Sequence, residues 1–326
     1  MKKSVFFLLS SIVTCIFVNC GGIDNFILSG SGSNKSQVIV FTEDKNICDY
    51  DWQIWLMTVD GNNKWKITDA GDSCRHNCGT ISPDGSKIVF YSNRPHGDAA
   101  SRKYELFVAD ADGRNLRQLT YLNRATSGPC WSPDGDKITF TSEFESSHAE
   151  VYVINIDGSG LCRLTDSEFT KAYPVYSPDG RKIIYHGFIH AGLAQIFIMN
   201  SDGSDLRQLT FEPYDHVNAK FSPEGDRIIY SSAENGDTNL DVFEMATDGS
   251  AGKNLTADSL NSDNSASYSP NGESIVYYSM DNNVGSNIWI MNRDGSNKRR
   301  ITGSDTFKMS TNWQKIKTEY LQKAYK

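Results

Sequence analysis

The chain has 326 residues, 38% of them hydrophobic and 22% charged, with 26 Gly against 9 Pro. That is enough apolar material for a core, and it excludes collagen-like or Pro-rich disordered classes. The 32 basic and 40 acidic residues leave a formal charge of −8, which argues against a protein held on nucleic acid by counterion release.

Residues 1–19 read as an export signal. Lys2 and Lys3 supply the positive end, and Ser4 to Val18 is a stretch of 15 residues without a charge, short for a membrane span. It ends Phe17-Val18-Asn19-Cys20-Gly21-Gly22, which resembles the lipobox of bacterial lipoproteins, where a Cys after small or apolar residues is acylated and becomes the first residue. Asn19 departs from the usual Gly or Ala, and Cys15 is a competing acceptor. The position of Cys20 at the end of the apolar region favours it, and an ordinary secreted protein is the plainer alternative. Residues 20–36, with Ser29-Gly30-Ser31-Gly32-Ser33-Asn34, are expected to form a flexible tether.

Six copies of one unit occupy the rest. Asp-Gly pairs at Asp60, Asp112, Asp157, Asp202, Asp248 and Asp294 recur at intervals of 52, 45, 45, 46 and 46, a blade-length period. An apolar strand with one aromatic column precedes each pair: Trp55, Phe107, Tyr152, Phe197, Phe243 and Trp289. A Leu or Ile followed by Thr comes after, at Thr68, Thr120, Thr165, Thr210, Thr256 and Thr302. Ser-Pro-Asp-Gly begins at Ser82, Ser132 and Ser177, varied to Ser-Pro-Glu-Gly at Ser222 and Ser-Pro-Asn-Gly at Ser269. These residue types suit a type I turn between antiparallel strands, so each unit reads as four short strands.

Trp313 stands 19 residues after Asp294, the spacing between Asp112 and Trp131, yet no Ser-Pro corner follows it. The missing strand is found at the other end, where Gln37-Val38-Ile39-Val40-Phe41-Thr42 matches Ser86-Lys87-Ile88-Val89-Phe90-Tyr91. One blade is therefore expected to be shared between the termini, which closes the ring and removes the unpaired edges. The fold class is all-β: a six-bladed propeller over 37–316, four antiparallel strands per blade, followed by a tail at 317–326.

The aromatic-Ser-Pro-Asp-Gly corners, the following Lys-Ile-x-Phe as at Lys137 to Phe140, and the Asp-Gly and Leu-Thr columns resemble the WD40-like repeat of TolB-type six-bladed β-propellers. The resemblance implies a cell-envelope propeller that binds another protein or a peptidoglycan-associated partner, with no cofactor. TolB proteins carry a separate domain ahead of the propeller for which this sequence leaves no room, so that domain's roles are not carried over. Prolyl-oligopeptidase relatives also carry such propellers, with a catalytic domain this sequence lacks.

In that fold the short Ser-Pro and Asp-Gly turns share one face and the long connections crowd the other. All six histidines, His76, His96, His148, His186, His190 and His216, are placed on or beside the long-loop face, which is taken as the functional one. Arg94 and Tyr173 are candidate channel-mouth residues, with surface packing as the plainer reading. His186, His190 and His216 belong to one sector and three imidazoles could hold a metal, as in propeller lyases that cleave pectic oligosaccharides, which this arrangement resembles. Solvated loop histidines explain the same residues without a metal. Asp110-Ala111-Asp112-Gly113 hints at calcium, but no 12-residue loop ending in Glu follows. No Gly-x-Ser-x-Gly, His-Glu-x-x-His or Walker lysine loop occurs.

Five cysteines remain after Cys15 is removed and Cys20 acylated. Cys48, Cys74 and Cys78 sit on connections around the first blade, where one disulfide among them suits an oxidising envelope. Zinc at Cys74-x-His76-x-Cys78 would have only three ligands at an unusual spacing. Cys130 and Cys162 read as small buried side chains. The sequence thus supports two functions: a lipid-anchored, non-enzymatic envelope propeller that binds a protein or glycan, or a metal-assisted lyase of the oligogalacturonate type.

Overall fold

The computed structural model describes residues 35–44, 52–68, 74–94, 103–189, 192–234, 239–281, 285–303 and 306–324. The signal, the tether up to residue 34, and Cys15, Cys20, Cys48, His96 and His190 lie outside the described residues.

Six four-stranded antiparallel sheets form the body. Five follow the chain: β4 (His76–Ile81) to β7 (Arg117–Gln118), β8 (Thr126–Trp131) to β11 (Cys162–Arg163), β12 (Lys171–Tyr176) to β15 (Arg207–Gln208), β16 (His216–Phe221) to β19 (Lys253–Asn254), and β20 (Ser262–Tyr268) to β23 (Arg299–Arg300). The sixth joins β24 (Phe307–Lys317) to β1 (Lys35–Asp44), β2 (Trp52–Thr58) and β3 (Lys64–Lys66), in that order. This is the six-bladed propeller expected from the repeats, closed by strands from both ends of the ring. Ile39 lies opposite Trp313 and Gln37 opposite Lys315, and Trp313 Nε1 donates to Gln37 Oε1 at 3.0 Å.

The repeat columns have structural causes. In the first corner the Gly85 N–H donates to the Ser82 carbonyl at 2.8 Å. Ser82 Oγ accepts the Lys87 N–H at 2.9 Å and donates to Asp84 at 2.6 Å. The corners at Ser177 and Ser269 repeat these bonds; where Glu224 replaces Asp, Ser222 Oγ turns to Asp226 at 2.8 Å instead. Each Thr of the Leu-Thr column accepts a third-strand N–H through Oγ1 at 2.9 Å, from Ile54, Leu106, Val151, Ile196, Val242 and Ile288. The short outer strand leaves that N–H without a ladder partner, and the hydroxyl supplies one.

Asp-Gly glycines set the spacing between blades. Gly61 and Gly113 have φ of +78° and +85°, and a Cβ on either would stand 2.2 Å from the carbonyl oxygen of Ile301 or Ile67. The turn of each blade thus abuts the Leu-Thr strand of the blade before it, and Ile301 of the last meets Gly61 of the first. At Asp110 the turn is a plain hairpin, with the Gly113 N–H on the Asp110 carbonyl at 2.8 Å and the Asp110 carboxylate on Lys87 at 2.6 Å.

The core lies between successive blades. Val89, Leu106 and Val108 of one pack against Trp131, Ile138 and Tyr152 of the next. A short helix, α1 (Thr318–Ala324), follows β24 in the region expected as a tail, and Leu321 is buried against Val38, Leu56 and Ile88. No helix among the described residues is long and apolar enough to cross a membrane.

Candidate functional site

The first strands β4, β8, β12, β16, β20 and β24 stand side by side, and all six break register at one level. The breaks fall between Asn77/Thr80, Ser127/Cys130, Ala172/Val175, Val217/Lys220 and Asn264/Ser267, and opposite Val40/Thr42 on β1. The residue in each break has positive φ: Cys78 at 53°, Gly128 at 61°, Tyr173 at 52°, Asn218 at 57°, Ser265 at 50° and Ser310 at 55°. Five of these six are not glycine, a conformation that costs about 1–3 kcal/mol at each and persists only where neighbours enforce it. At three of the five a local acceptor does so. Asn77 Oδ1 takes the Cys78 N–H at 2.7 Å, Asn264 Oδ1 takes that of Ser265 at 2.6 Å, and His186 Nδ1 takes that of Asn218 at 3.3 Å.

From this ring a cavity of about 660 Å³ runs to the Ser-Pro corners. Next along the wall is a second ring, Thr80, Cys130, Val175, Lys220, Ser267 and Asn312, backed by Trp131, Tyr176, Phe221, Tyr268 and Trp313. Pro83, Pro133, Pro178 and Pro223 form its exposed rim. The bulge aims one residue of each strand at the axis, and the alternation that follows aims the second-ring residue there too.

The electrostatics of this cavity are uneven. Among the described residues no carboxylate lines it, and its cations are Lys220 and the exposed Lys315. Lys220 Nζ donates to the Thr311 carbonyl and to Asn312 Oδ1, both at 2.8 Å, so it reaches past β20 to the closing blade. Desolvation pushes its pKa down to about 8, against the pull of Cys78 and Cys130. Burial raises both thiols, Cys130 to about 11, so neither is a thiolate nucleophile at neutral pH. Cys78 Sγ lies 3.3 Å from Ser310 Oγ, and the Cys78 thiol together with burial raises the Tyr173 pKa.

The site residues expected from sequence divide between two ends of the ring. Tyr173 and His186 line the cavity, with rings stacked at 5.6 Å and 24°; burial lowers the His186 pKa to about 4. His76 and His216 open β4 and β16, in one column with Thr126, Lys171, Asp263 and Lys308, all six buried. His76 packs edge-on to Phe90 at 5.4 Å. His216 lies 3.6 Å from Glu212 and 3.9 Å from Glu234, yet desolvation outweighs the nearby acids and its pKa falls.

Placing these histidines on solvent-facing connections therefore needs correcting. His76, His186 and His216 are strand residues, because the ladders run further into the connections than the apolar pattern does, as His216 opposite Ser232 shows. His148 is half-buried in the β9–β10 connection, where β9 is Lys137–Ser142 and β10 Glu150–Asn155. Arg94 follows β5 (Lys87–Ser92), half-buried, its N–H on Ser92 Oγ at 3.1 Å. Among the described residues no three His, Cys, Asp or Glu side chains are grouped to hold a metal. Cys130 faces the cavity, and Cys162 is exposed rather than buried because β11 is a two-residue outer strand. Lys220 carried no sequence signal beyond its place before the aromatic of a Ser-Pro corner.

Residues 122–317 match the TolB beta propeller domain. The Tol-Pal system protein TolB of Methylococcus capsulatus is 48% identical over 50 residues, 15% of this chain and 12% of that protein. The crystal structure of TolB from Acinetobacter baumannii superposes with a TM-score of 0.70 at 20% identity, covering 85% of this chain and 66% of that one. An oligogalacturonate lyase from Vibrio parahaemolyticus superposes with a TM-score of 0.55 at 14% identity, covering 81% and 73%, a likeness of fold alone. The matched stretch is thus a small part of the curated relative. With a matching domain over more than half of its length and all six blades in place, the chain belongs to the TolB β-propeller family.

Proposed function

We propose that this protein is a non-enzymatic cell-envelope lipoprotein, acylated at Cys20 and carried on the 20–36 tether, whose propeller binds a protein or a peptidoglycan-associated partner. The observation that supports this best is the cavity between the bulge ring and the Ser-Pro rim. It is concave, lined by Tyr173, Val175 and the rim prolines, and set with a few polar groups, which is the usual make-up of a recognition site. Its two thiols are held protonated and its one imidazole is buried and neutral, so the groups around it serve binding better than proton transfer or nucleophilic attack. The binding end proposed is therefore the Ser-Pro mouth with Tyr173 and His186 at its floor, in place of the long-loop face suggested by histidine placement.

Photo-cross-linking in intact cells from the position of Pro178 tests this reading, since it captures whatever rests on the rim without presuming its nature. Labelling with a fatty-acid analogue, lost in Cys20→Ala and kept in Cys15→Ala, tests the anchor. The rival reading, a metal-assisted lyase using His186, His190 and His216, is separated by metal analysis of purified protein. Stoichiometric metal that disappears with His186→Ala or His216→Ala would favour it.

A further inference from the structure

Lys220 is a cation without an anion. Its ammonium has three N–H groups, two of which go to neutral acceptors, the Thr311 carbonyl and Asn312 Oδ1. Among the described residues it forms no ion pair, although the chain carries 40 acidic residues and a net charge of −8. Lys220 is half-buried on the cavity wall, and a charge partly withdrawn from water gains from an opposite charge brought against it. Among the described residues no acidic side chain lies on the cavity wall, so that opposite charge is left to a ligand.

We infer that the cavity takes an organic carboxylate, with the acid group on Lys220 and an apolar or aromatic body against Tyr173, Val175 and the prolines of the rim. The inference deepens the binding reading and rests on the cavity being the binding end. A phosphate is less suited, because recognition of a dianion usually calls on guanidinium forks or several cations; among the described residues no arginine lines this cavity, and Lys315 lies out at its rim. Low polarity strengthens a single ion pair relative to water. The lowered pKa of Lys220, about 8, leaves the amine charged at neutral pH and gives binding a pH signature.

The test uses the full chain with benzoate and phenylacetate as probes and benzamide and phenylacetamide as their neutral isosteres, read by NMR titration and melting temperature. Both acids are expected to bind with Kd of about 1 mM or below, and the amides at least ~10-fold more weakly. Lys220→Met should cost about 10-fold or more, Lys220→Arg should restore binding to within ~3-fold, and Lys253→Met on the outer strand β19 should leave it within ~2-fold. Affinity for the acids should fall as pH rises above 8. Should Lys220→Met fail to fold, the acid-to-amide ratio and the pH profile of the unaltered protein still decide. Equal binding of acids and amides, tighter binding of inorganic phosphate, or unchanged affinity in folded Lys220→Met would each overturn the inference. Those results would leave standing any partner captured at the rim, whereas an empty rim with carboxylate binding intact would sink the partner reading alone.

Discussion

Lys171 Nζ lies 2.8 Å from the Glu150 carboxylate, with 1% and 0% of the two side chains exposed. Glu150 opens the third strand of one blade and Lys171 the first strand of the next, so the pair fastens neighbouring sheets at the end remote from the cavity. The same carboxylate accepts the Thr165 hydroxyl and the Ser167 N–H, and the ammonium lies 4.6 Å from the centre of the Phe169 ring. Burial pulls the Lys171 pKa down and Glu150 opposes it. Lys171→Met should destabilise by roughly 3–5 kcal/mol, because it leaves an uncompensated buried carboxylate. Adding Glu150→Gln should recover part of that loss, giving a coupling that a double-mutant cycle by urea denaturation would measure.

The Thr column predicts a graded response. Thr165→Val removes the acceptor of the Val151 N–H and a donor to Glu150, both buried, and should cost about 1–3 kcal/mol. Thr302→Val should cost less, since its bonds to Ile288 and Asn287 are only part-buried and the second is long at 3.4 Å. Matched denaturation curves would show the order, and equal losses would mean the hydroxyl is not acting as a strand cap.

Closure by β1 predicts that Ile39→Pro is among the most damaging single changes. Ile39 is fully buried and paired on both sides, to Met57 and Trp313, so proline removes a ladder bond from a central strand. The loss should be at least ~3 kcal/mol by chemical denaturation, or soluble expression should fail. Gln37→Ala, which loses only the exposed bond to Trp313, should stay within about 1 kcal/mol of the parent.

Asp263 and His186 act on stability in opposite directions across one pH window. Burial raises the Asp263 pKa to about 6, against the pull of the nearby Ser279, Ser259 and Thr256 hydroxyls and with Asp241 adding to the rise. The folded state therefore holds that proton more tightly than the unfolded chain, and this contribution is present below pH ~4 and lost as pH rises through 6. Burial lowers His186 to about 4, so its neutral form is favoured in the fold and stability falls as pH drops from ~6.5 toward 4. The two effects offset each other in the parent. Asp263→Asn should stabilise by roughly 2–3 kcal/mol at pH 7–8 and much less at pH 4, leaving a clear acid-side decline. Melting temperature against pH for both proteins would show it.

Much of the architecture could be read before the coordinates because its causes are local and repeated. The Ser-Pro corner, the Asp-Gly turn and the capping Thr each need one residue type at one place, and Trp313 without a corner pointed to Gln37 as its missing neighbour. The bulge ring was hidden because its six positions hold Cys, Gly, Tyr, Asn, Ser and Ser, and a positive φ on Tyr173 leaves no trace in residue type. Lys220 looked like any lysine on an alternating strand until the ring placed it beside Asn312. His216 and His76 read as loop in the sequence because each is a polar residue at the start of an apolar run, whereas in the fold they take equivalent buried positions at the head of the first strands. The helix over Thr318–Ala324 was too short for periodicity to reveal.

The binding role of the Ser-Pro mouth is tested most directly by comparing photo-cross-linkers at Pro178, on the rim, and at Phe211, which is 73% exposed on the β15–β16 connection at the opposite face. In intact cells the account predicts a discrete adduct from position 178 that fades when Tyr173 is replaced by Ala, and none from position 211. A discrete adduct from position 211 with none from position 178 would contradict it and return the binding surface to the long-loop face.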